Sequence, residues 1–306
     1  MMIHRIVNRI KYDIRQIQYI RHADEINCFI DVPAKDHCVN IFDYQPKKYN
    51  YTMPQGSPYN LGDYLGKVII KYLLDQKGIP IDKYISKRKH LFAVGSNIIG
   101  SDIKGNYQNA TIWGSGCIKE PSRREYFFQK ISHRHLDIRA VRGPLSREVL
   151  LRLGHECPEV YGDPAILLPK IYEPRFIKKR DYLIIPQFYS EQSFREKNHE
   201  GFIVSMNTDD YKSVIDEICA SEIVYTSSLH GIILAESYGI PAVFFRGLDK
   251  AIDFKYRDWY SSTGRPNVHF CDTFEEALQT TPPPIPDLEQ LRQGLLDCFP
   301  YDLWES

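Results

Sequence analysis

The sequence predicts an α/β protein with two Rossmann-like domains that face a cleft, and three observations indicate this fold. The chain has 306 residues, which suits two domains of ordinary size better than one. Short apolar runs alternate with segments of helical periodicity, which is typical of parallel sheets flanked by helices. A charged stretch from Lys170 to Asp181 contains Pro174, shows no sustained period and separates two such series. The predicted domains are therefore residues 1–172 and 173–306.

The elements of both domains are predicted from apolar periodicity and from the residues at their ends. Helices are predicted where apolar residues recur at helical spacing, and Gly154 ends one of them. Strands are predicted at short apolar runs that end in small or polar residues. The predicted strands are Val39–Asp43, Leu91–Gly95, Thr111–Gly114, a short one within Val160–Leu168, Tyr182–Pro186, Phe202–Ser205, Glu222–Tyr225 and Pro241–Phe245. The predicted helices are Gly62–Gln76, Gly143–Leu153, Asp210–Ala220, Leu229–Tyr238, Thr273–Gln279 and Asp287–Leu296.

Composition excludes several classes of function. Thirty-nine basic residues balance thirty-nine acidic ones, so no global field draws the chain to nucleic acid. No apolar run approaches the roughly 20 residues that cross a bilayer. The seven cysteines form no C-x-x-C pair, which indicates free thiols in a reducing cytoplasm. Residues 1–22 predict a basic leading helix with one buried face; weak contact with the inner face of the membrane is the alternative.

The most informative segment is a predicted strand-to-helix turn. A strand runs into Thr226, and a helix opens after Ser227 and Ser228, either of which can cap it. His230 then falls in the first turn, beside unpaired amides and the positive end of the helix dipole. Gly231 has no side chain, so a ligand can approach the backbone. These features predict an anion site; the alternative is a capped helix whose histidine only packs.

Charged residues also follow two other predicted strands. Arg139 and Arg142 flank an apolar strand end before Gly143, and guanidinium groups suit phosphate or carboxylate. Asp163 follows another strand and can orient a histidine or accept a sugar hydroxyl. The alternatives are solvated arginines, which we favour for Arg147, and a plain Asx turn at Asp163.

Three further segments offer polar or small residues to a substrate. Asn60 and Asp63 precede a helix and either contact a ligand or cap that helix. Gly95–Asn97 and Trp113–Gly116 either let substrate approach the backbone or simply turn. Lys255–Tyr260 puts two cations and three aromatic rings in six residues, which predicts either a sugar- and anion-binding segment or a surface helix face.

Motifs of several common enzyme classes are missing from the sequence. Gly95 and Gly100 are not followed by Lys-Ser/Thr, so no phosphate-binding loop of the NTPase type is indicated. No G-x-G-x-x-G follows a strand and no G-x-S-x-G occurs, which counts against nicotinamide, flavin and serine-hydrolase chemistry. His133, His135 and Asp137 are of metal-ligand type but lack a fourth ligand segment, so we expect no metal.

Taken together, these segments resemble the polysaccharide pyruvyl transferase family. Its recurring features appear in the family's order between Asn60 and Asp258, over about two thirds of the chain. They are N-L-G-D at Asn60–Asp63, G-S-N at Gly95–Asn97, W-G-S-G at Trp113–Gly116, R-G-P-L-S at Arg142–Ser146, G-D-P-A at Gly162–Ala165, and S-S-L-H continuing to G-I-P at Ser227–Pro241.

The resemblance implies a GT-B-like pair of domains, phosphoenolpyruvate as donor, and a sugar diol, free or lipid-linked, as acceptor. The first domain would bind the acceptor and the second the donor, with no other cofactor. Many members have arginine just before the leucine–histidine pair, where this chain has Ser228, so another cation must face the donor phosphate. With the patterns above, the expected catalytic residues are His230, Asp163 and Asp63; the expected donor-binding residues are Arg142, Arg139, Ser227, Ser228, Gly231, Lys255 and Arg257; and the expected acceptor-binding residues are Asn60, Ser96, Asn97 and Ser115.

We therefore expect a cytoplasmic transferase that attaches pyruvate from phosphoenolpyruvate to a sugar of a polysaccharide or its precursor as a ketal. His230 would protonate the donor's methylene carbon, arginines would neutralise its charge, and Asp163 or Asp63 would accept a hydroxyl proton. The alternative is a sugar-nucleotide glycosyltransferase of GT-B type, which Glu236 would suit. A third interpretation is a non-catalytic sugar-binding protein that uses Trp259 and Tyr260.

Overall fold

The fold was obtained as a computed structural model of the chain. It describes residues 2–22, 35–42, 59–99, 107–175, 180–187, 190–196, 203–246 and 253–305. Within these residues the protein is α/β, with two parallel sheets and helices between the strands. The predicted fold class is therefore confirmed at the level of an α/β protein with parallel sheets.

The first sheet has four parallel strands in the order in which they occur along the chain. They are β1 (Val39–Ile41), β2 (Lys89–Phe92), β3 (Ala110–Trp113) and β4 (Leu136–Ala140). In the register, Leu91 lies opposite Thr111 and Ile112 lies opposite Ile138. Every residue of β3 is buried, as expected for an inner strand of a parallel sheet covered on both faces.

The second sheet has three parallel strands, again in chain order. They are β5 (Leu183–Ile185), β6 (Val224–Thr226) and β7 (Ala242–Phe244), and all their residues are buried. Among the described strands neither sheet shows the order reversal of a Rossmann fold. The finer expectations, two Rossmann-like domains facing a cleft and a boundary between residues 172 and 173, stay predictions.

Helices follow most strands and carry the groups that the site needs. Those in the first half are α1 (Met2–Arg21), α2 (Leu61–Asp75), α3 (Arg123–Ile131) and α4 (Pro144–Leu153). Those in the second half are α5 (Glu191–Glu196), α6 (Tyr211–Cys219), α7 (Leu229–Ser237), α8 (Phe254–Ser262), α9 (Phe274–Gln279) and α10 (Glu289–Asp297). Gly154 ends α4 with φ 90°, a left-handed conformation that glycine adopts without strain.

Two predicted strands are replaced by other structure. Within Val160–Leu168 only Tyr161 forms a bridge, to Val141 just after β4, and a 3₁₀ helix follows from Pro164 to Lys170. Pro164 and Pro169 lack the amide protons that a further strand would donate. Of the predicted strand Phe202–Ser205, Ile203 alone bridges to β5, and Phe202 lies outside the described residues, as does Asp43 at the end of the first predicted strand.

A shared hydrophobic core connects the two sheets. It includes buried residues of α2, of the 3₁₀ helix Pro164–Lys170 and of α7, with Leu65, Ile166 and Ile233 all inaccessible to solvent. The end of the chain returns to the first sheet, where Trp113 Nε1 donates to the carbonyl of Leu295 at 2.9 Å. Both α2 and α7 pack on this 3₁₀ helix, and their first turns meet where Gly62 lies against the ring of His230.

Candidate active site

His230 lies in the first turn of α7, directly after β6. It is 9% exposed, and its Nε2 lies 3.6 Å from Oδ2 of Asp163. Neither atom has a hydrogen-bond partner among the residues that the structure describes, although both are buried. The other oxygen of Asp163 accepts from the amide of Ala165 at 3.0 Å, so the 3₁₀ helix holds the carboxylate in place. Shortening the gap by roughly half an ångström would make a hydrogen bond, so Asp163 can orient the imidazole.

The Nδ1 side of the imidazole lies against Gly62, in the first turn of α2. A Cβ on Gly62 would overlap Nδ1, so a larger residue would displace the ring. The N-cap side chains of the two helices, Asn60 for α2 and Ser228 for α7, do not hydrogen-bond to the amides of their own helices. Two helix N-termini without side-chain caps therefore meet at His230. Their amides and dipoles favour an anion there.

Asp63 connects three of the segments singled out from the sequence. Its Oδ2 accepts from Nδ2 of Asn60 at 2.6 Å, and its Oδ1 accepts from Nδ2 of Asn97 at 3.4 Å. Gly95 has φ +106°, and a Cβ at this position would overlap Oδ1 of Asp63. Glycine is thus required both for the turn and for the close approach of the carboxylate.

Hydroxyl groups extend this network beneath the site. Ser115 is inaccessible to solvent; its Oγ donates to the carbonyl of Gly95 at 2.9 Å and accepts from the amide of Asn97 at 3.4 Å. Ser96 accepts from Nη1 of Arg142 at 2.6 Å. The predicted acceptor-binding residues Asn60, Asn97 and Ser115 are therefore linked with Asp63 in one hydrogen-bonded network, whereas the side chain of Ser96 bonds Arg142.

Arg142 lies under this network rather than in an open pocket. Its guanidinium is paired with Asp258 at 3.0 Å, and both side chains are 0% exposed. Nε donates to Asp258 at 3.1 Å, and Nη2 donates to the carbonyl of Cys117 at 2.6 Å. Burial, together with the Asp258 charge, raises the pKa of the Cys117 thiol to about 12, so this thiol stays protonated. These contacts join α8 to the end of β4, and the donor-binding role of Arg142 stays a prediction.

The other predicted cations have separate surroundings. Hydrogen bonds to Asp137 and then the charges of Asp137 and Asp302 raise the pKa of Arg139, which bonds both carboxylates at 2.8–2.9 Å. Arg257 is exposed and lies 3.6 Å from Asp253. These carboxylates make no described contact with Asp63 or His230, and the donor-binding roles of Arg139 and Arg257 stay predictions.

Lys255 precedes Tyr256, a residue that contacts the turn carrying His230. Its ammonium lies 5.0 Å from the ring centroid of Tyr256. The hydroxyl of Tyr256 in turn donates to the carbonyl of Ser227 at 2.7 Å, so this part of α8 packs on the end of β6.

Of the three hydroxyls in this turn, those of Thr226 and Ser227 are hydrogen-bonded, and only that of Ser228 makes no hydrogen bond to the described residues. Ser227 is buried, and its Oγ accepts from the amide of Gln187 at 2.9 Å. A Cβ on Gly231 would overlap Oγ1 of Thr226, so this glycine makes room for a hydroxyl of its own chain rather than for a ligand, contrary to the expectation.

Two expectations that supported alternative functions are wrong. Trp259 and Tyr260 are 0% and 1% exposed, so their rings form part of the core and offer no platform to a sugar. Glu236 is 3% exposed; it accepts from Nε1 of Trp259 at 2.9 Å and from Nη1 of Arg265 at 2.7 Å. Its carboxylate is therefore committed to the core and cannot serve a sugar nucleotide.

The chain belongs to the polysaccharide pyruvyl transferase family, because the model of that family matches residues 60–247, more than half of the chain. The resemblance read from the motifs is thereby confirmed. The match includes His230, Asp163 and Asp63, whereas Asp258 lies beyond it. Membership supports a role in polysaccharide pyruvylation and does not favour a sugar-nucleotide glycosyltransferase.

Two individual proteins are similar to this chain. "Uncharacterized protein L143" of Acanthamoeba polyphaga mimivirus is 27% identical over 217 residues, which cover 67% of this chain and 71% of that protein. A crystal structure titled as the functionally uncharacterized protein KP1_0663 from Klebsiella pneumoniae subsp. pneumoniae NTUH-K2044 aligns with a TM-score of 0.47 and 13% identity. That alignment covers 87% of this chain and 98% of the other.

Proposed function

We propose that this protein transfers the pyruvyl unit of phosphoenolpyruvate onto two neighbouring hydroxyls of a glycan, forming a cyclic ketal. One observation carries the proposal: His230 is held between the carboxylate of Asp163 and Gly62 where two helix N-termini meet. A histidine in that place combines a proton donor with an anion site. Membership in the pyruvyl transferase family supports the same chemistry.

The donor would bind through backbone amides more than through arginine. Phosphoenolpyruvate carries a carboxylate and a phosphate, and the first turns of α2 and α7 present amides without intrahelical acceptors. The hydroxyl of Ser228 stands where many family members have arginine, and it can donate one further hydrogen bond. Lys255, on the segment that packs against the end of β6, supplies the remaining positive charge in this proposal.

His230, as an imidazolium, transfers its proton to the methylene carbon of the donor. The neighbouring Asp163 stabilises the imidazolium and orients it. The central carbon then becomes electrophilic, and one sugar hydroxyl adds to it while Asp63 takes the hydroxyl proton. Phosphate leaves with the bonding electron pair, the second hydroxyl adds, and its proton departs on the phosphate. One C–H and two C–O bonds form, while one C–O bond and the π bond break.

The acceptor would lie on the side of Asp63. The amides of Asn60 and Asn97 hold this carboxylate from two directions, so its oxygens have defined positions toward an incoming hydroxyl. Ser96 is partly exposed beside them. Arg142 contributes to acceptor binding by donating to the hydroxyl of Ser96, and its ion pair with Asp258 stabilises the residues below the site.

Mass spectrometry of candidate glycans incubated with the full chain and phosphoenolpyruvate tests this function. The expected product is heavier than the glycan by pyruvic acid minus water, and phosphate appears only when donor and glycan are both present. Phosphate release without glycan would indicate a phosphatase and contradict the proposal. Phosphoenolpyruvate should also raise the thermal midpoint, because a ligand that binds only the native state stabilises it; stabilisation by nucleotide diphosphates alone would favour a glycosyltransferase.

A further inference from the structure

The outward face of α1 is aliphatic. Ile6, Ile10, Ile14 and Ile17 are 50%, 53%, 52% and 42% exposed, and Val7 is 41% exposed. Successive spacings of four, four and three residues place the four isoleucines on one stripe of the helix. Burying rather than exposing such side chains is favourable by about 1.5–3 kcal/mol each, so a contiguous exposed stripe indicates a surface that contacts something other than water.

The opposite face of α1 holds it to the rest of the protein through polar and aromatic groups. Gln16 is 1% exposed and accepts a hydrogen bond from the hydroxyl of Tyr107. Tyr12 packs edge-on against Phe128, with ring centroids 6.2 Å apart. Asp13, on the same helix, pairs with Arg124. The helix is therefore attached through aromatic and polar side chains, while its isoleucine stripe stays on the outside.

Cations border the aliphatic stripe. At 100° per residue, Lys11 follows Val7 on one edge and Arg9 lies beyond Ile6 on the other. The helix also carries Arg5, Arg15 and Arg21. Against these five cations the helix has one acid, Asp13, which is itself paired with Arg124. The strong local charge contrasts with the overall balance of the chain.

The neighbouring helix α3 adds apolar surface. Phe127 and Ile131 are 57% and 41% exposed and lie one helical turn apart. They share a face of α3 with Arg124, the residue that contacts α1.

We propose that the isoleucine stripe of α1, with Phe127 and Ile131, docks on the surface of an anionic lipid bilayer. Aliphatic side chains bordered by arginine and lysine are the composition of helices that lie in a membrane interface. Contact between two copies through the same face would bring like charges together, which disfavours that occupant. None of the helices described is long and apolar enough to cross a bilayer, so the docking is peripheral. This inference does not rest on the proposed reaction.

Flotation of the full chain with lipid vesicles tests the proposal. We expect binding to vesicles that contain phosphatidylglycerol and far weaker binding to phosphatidylcholine alone, with the difference shrinking as salt rises. The double substitution Arg9→Gln/Lys11→Gln, which removes the cations at the two edges of the stripe, should weaken binding to the anionic vesicles by about fivefold for each charge.

Substitution of the stripe separates apolar insertion from charge. Ile10→Gln/Ile14→Gln should lower partitioning by at least about tenfold. The matched control is Leu151→Gln/Leu278→Gln, which changes aliphatic side chains that are 43% and 46% exposed on other helices and should bind as the unaltered protein does. Because all four positions are exposed, unchanged thermal midpoints would show that each variant folds.

Three results would overturn the inference. The first is equal vesicle binding by the Ile10→Gln/Ile14→Gln variant and its control, and the second is no binding by the unaltered protein. The third is a dimer in the absence of lipid that the isoleucine substitutions convert to a monomer by light scattering, because the stripe would then be an interface between two copies.

Discussion

Two buried polar clusters, one after β4 of the first sheet and one after β6 of the second, differ in whether their polar atoms are paired. Around Arg142, the guanidinium bonds Asp258, Cys117 and Ser96, and Asp258 also accepts from the amide and the hydroxyl of Ser146. Around His230, Nε2 and the facing oxygen of Asp163 are equally buried but remain without hydrogen bonds.

The difference separates a structural cluster from a reactive one. A buried polar atom without a hydrogen bond lowers the stability of the fold by on the order of 1–3 kcal/mol. Such an atom is therefore expected where it binds or reacts with a ligand. A cluster whose groups are all paired gains stability but has little left to offer a substrate. We therefore propose that His230 takes part in the reaction and that Arg142 attaches α8 to the end of β4.

The largest expected effect is the loss of turnover on His230→Ala. Removing a general acid typically lowers the rate by a factor of about 10²–10⁴, whereas the fold should persist because the ring makes no hydrogen bond that it needs. Phosphate release in the presence of glycan measures turnover, and circular dichroism measures the melting midpoint. His269→Ala is the control, since this histidine is 65% exposed; near-normal turnover by His230→Ala would remove the histidine from the mechanism.

Next in size is the loss of stability on Arg142→Met. Breaking a buried ion pair leaves an uncompensated charge and costs about 3–5 kcal/mol in free energy of unfolding. Arg152→Met is the matched control, because the pair Arg152–Glu120 is exposed and exposed pairs contribute little to stability. Urea denaturation measures both.

The same variant distinguishes fastening from donor binding. Adding Asp258→Asn to Arg142→Met should recover part of the lost stability, since no charge then stays buried without a partner. If Arg142→Met instead keeps its stability and raises the KM for phosphoenolpyruvate, Arg142 binds the donor as the sequence predicted.

A smaller effect is expected for Asp163→Asn. The amide oxygen can still accept from Ala165, so the 3₁₀ helix keeps its cap while the charge beside His230 is lost. We expect turnover to fall by roughly 10- to 100-fold, the range seen when carboxylates that orient histidines are altered. Asp210→Asn is the control, because Asp210 caps α6 by accepting from Ser213 without facing the histidine. If the two variants have equal turnover, Asp163 does not position the imidazole of His230.

The smallest effect compares two glycines one turn apart in α2. Gly62→Ala should shift the imidazole and reduce turnover severalfold, because its Cβ would overlap Nδ1. Gly66→Ala meets its nearest atom at 3.6 Å and should raise stability by up to about 1 kcal/mol, since alanine is the better helix former. The turnover and the melting midpoint are measured for both variants. Unchanged turnover of Gly62→Ala would mean that the position of the imidazole does not depend on this contact.

The elements were largely predictable from the sequence. Helix α7 begins one residue before His230, as the turn after β6 predicted, and the segments at Asn60 and Gly95 meet where Asp63 accepts from Asn97. The helices α3 and α5 were not predicted. For α3 a signal was present, because Ser122 and Glu125 form a capping box at its start.

Pairing between distant residues was not predictable. Asp258 lies 116 positions after Arg142, and nothing near either residue indicates the other. Gly143, in the same motif as Arg142, leaves room for Asp258, because a Cβ on Gly143 would overlap the carbonyl of Asp258. Residues 1–22 predicted a basic helix with one buried face, but the sequence could not say that its isoleucines would lie on the outer face.

By itself the sequence determined the α/β alternation, the turns that end each strand and the family, because these depend on residues within a few positions of one another. Only the tertiary structure decided that His230 faces Asp163 and that Arg142 is closed off by Asp258. The reason is physical: whether a buried charge is reactive or structural depends on the groups that reach it, and packing across the core brings those groups from distant parts of the chain.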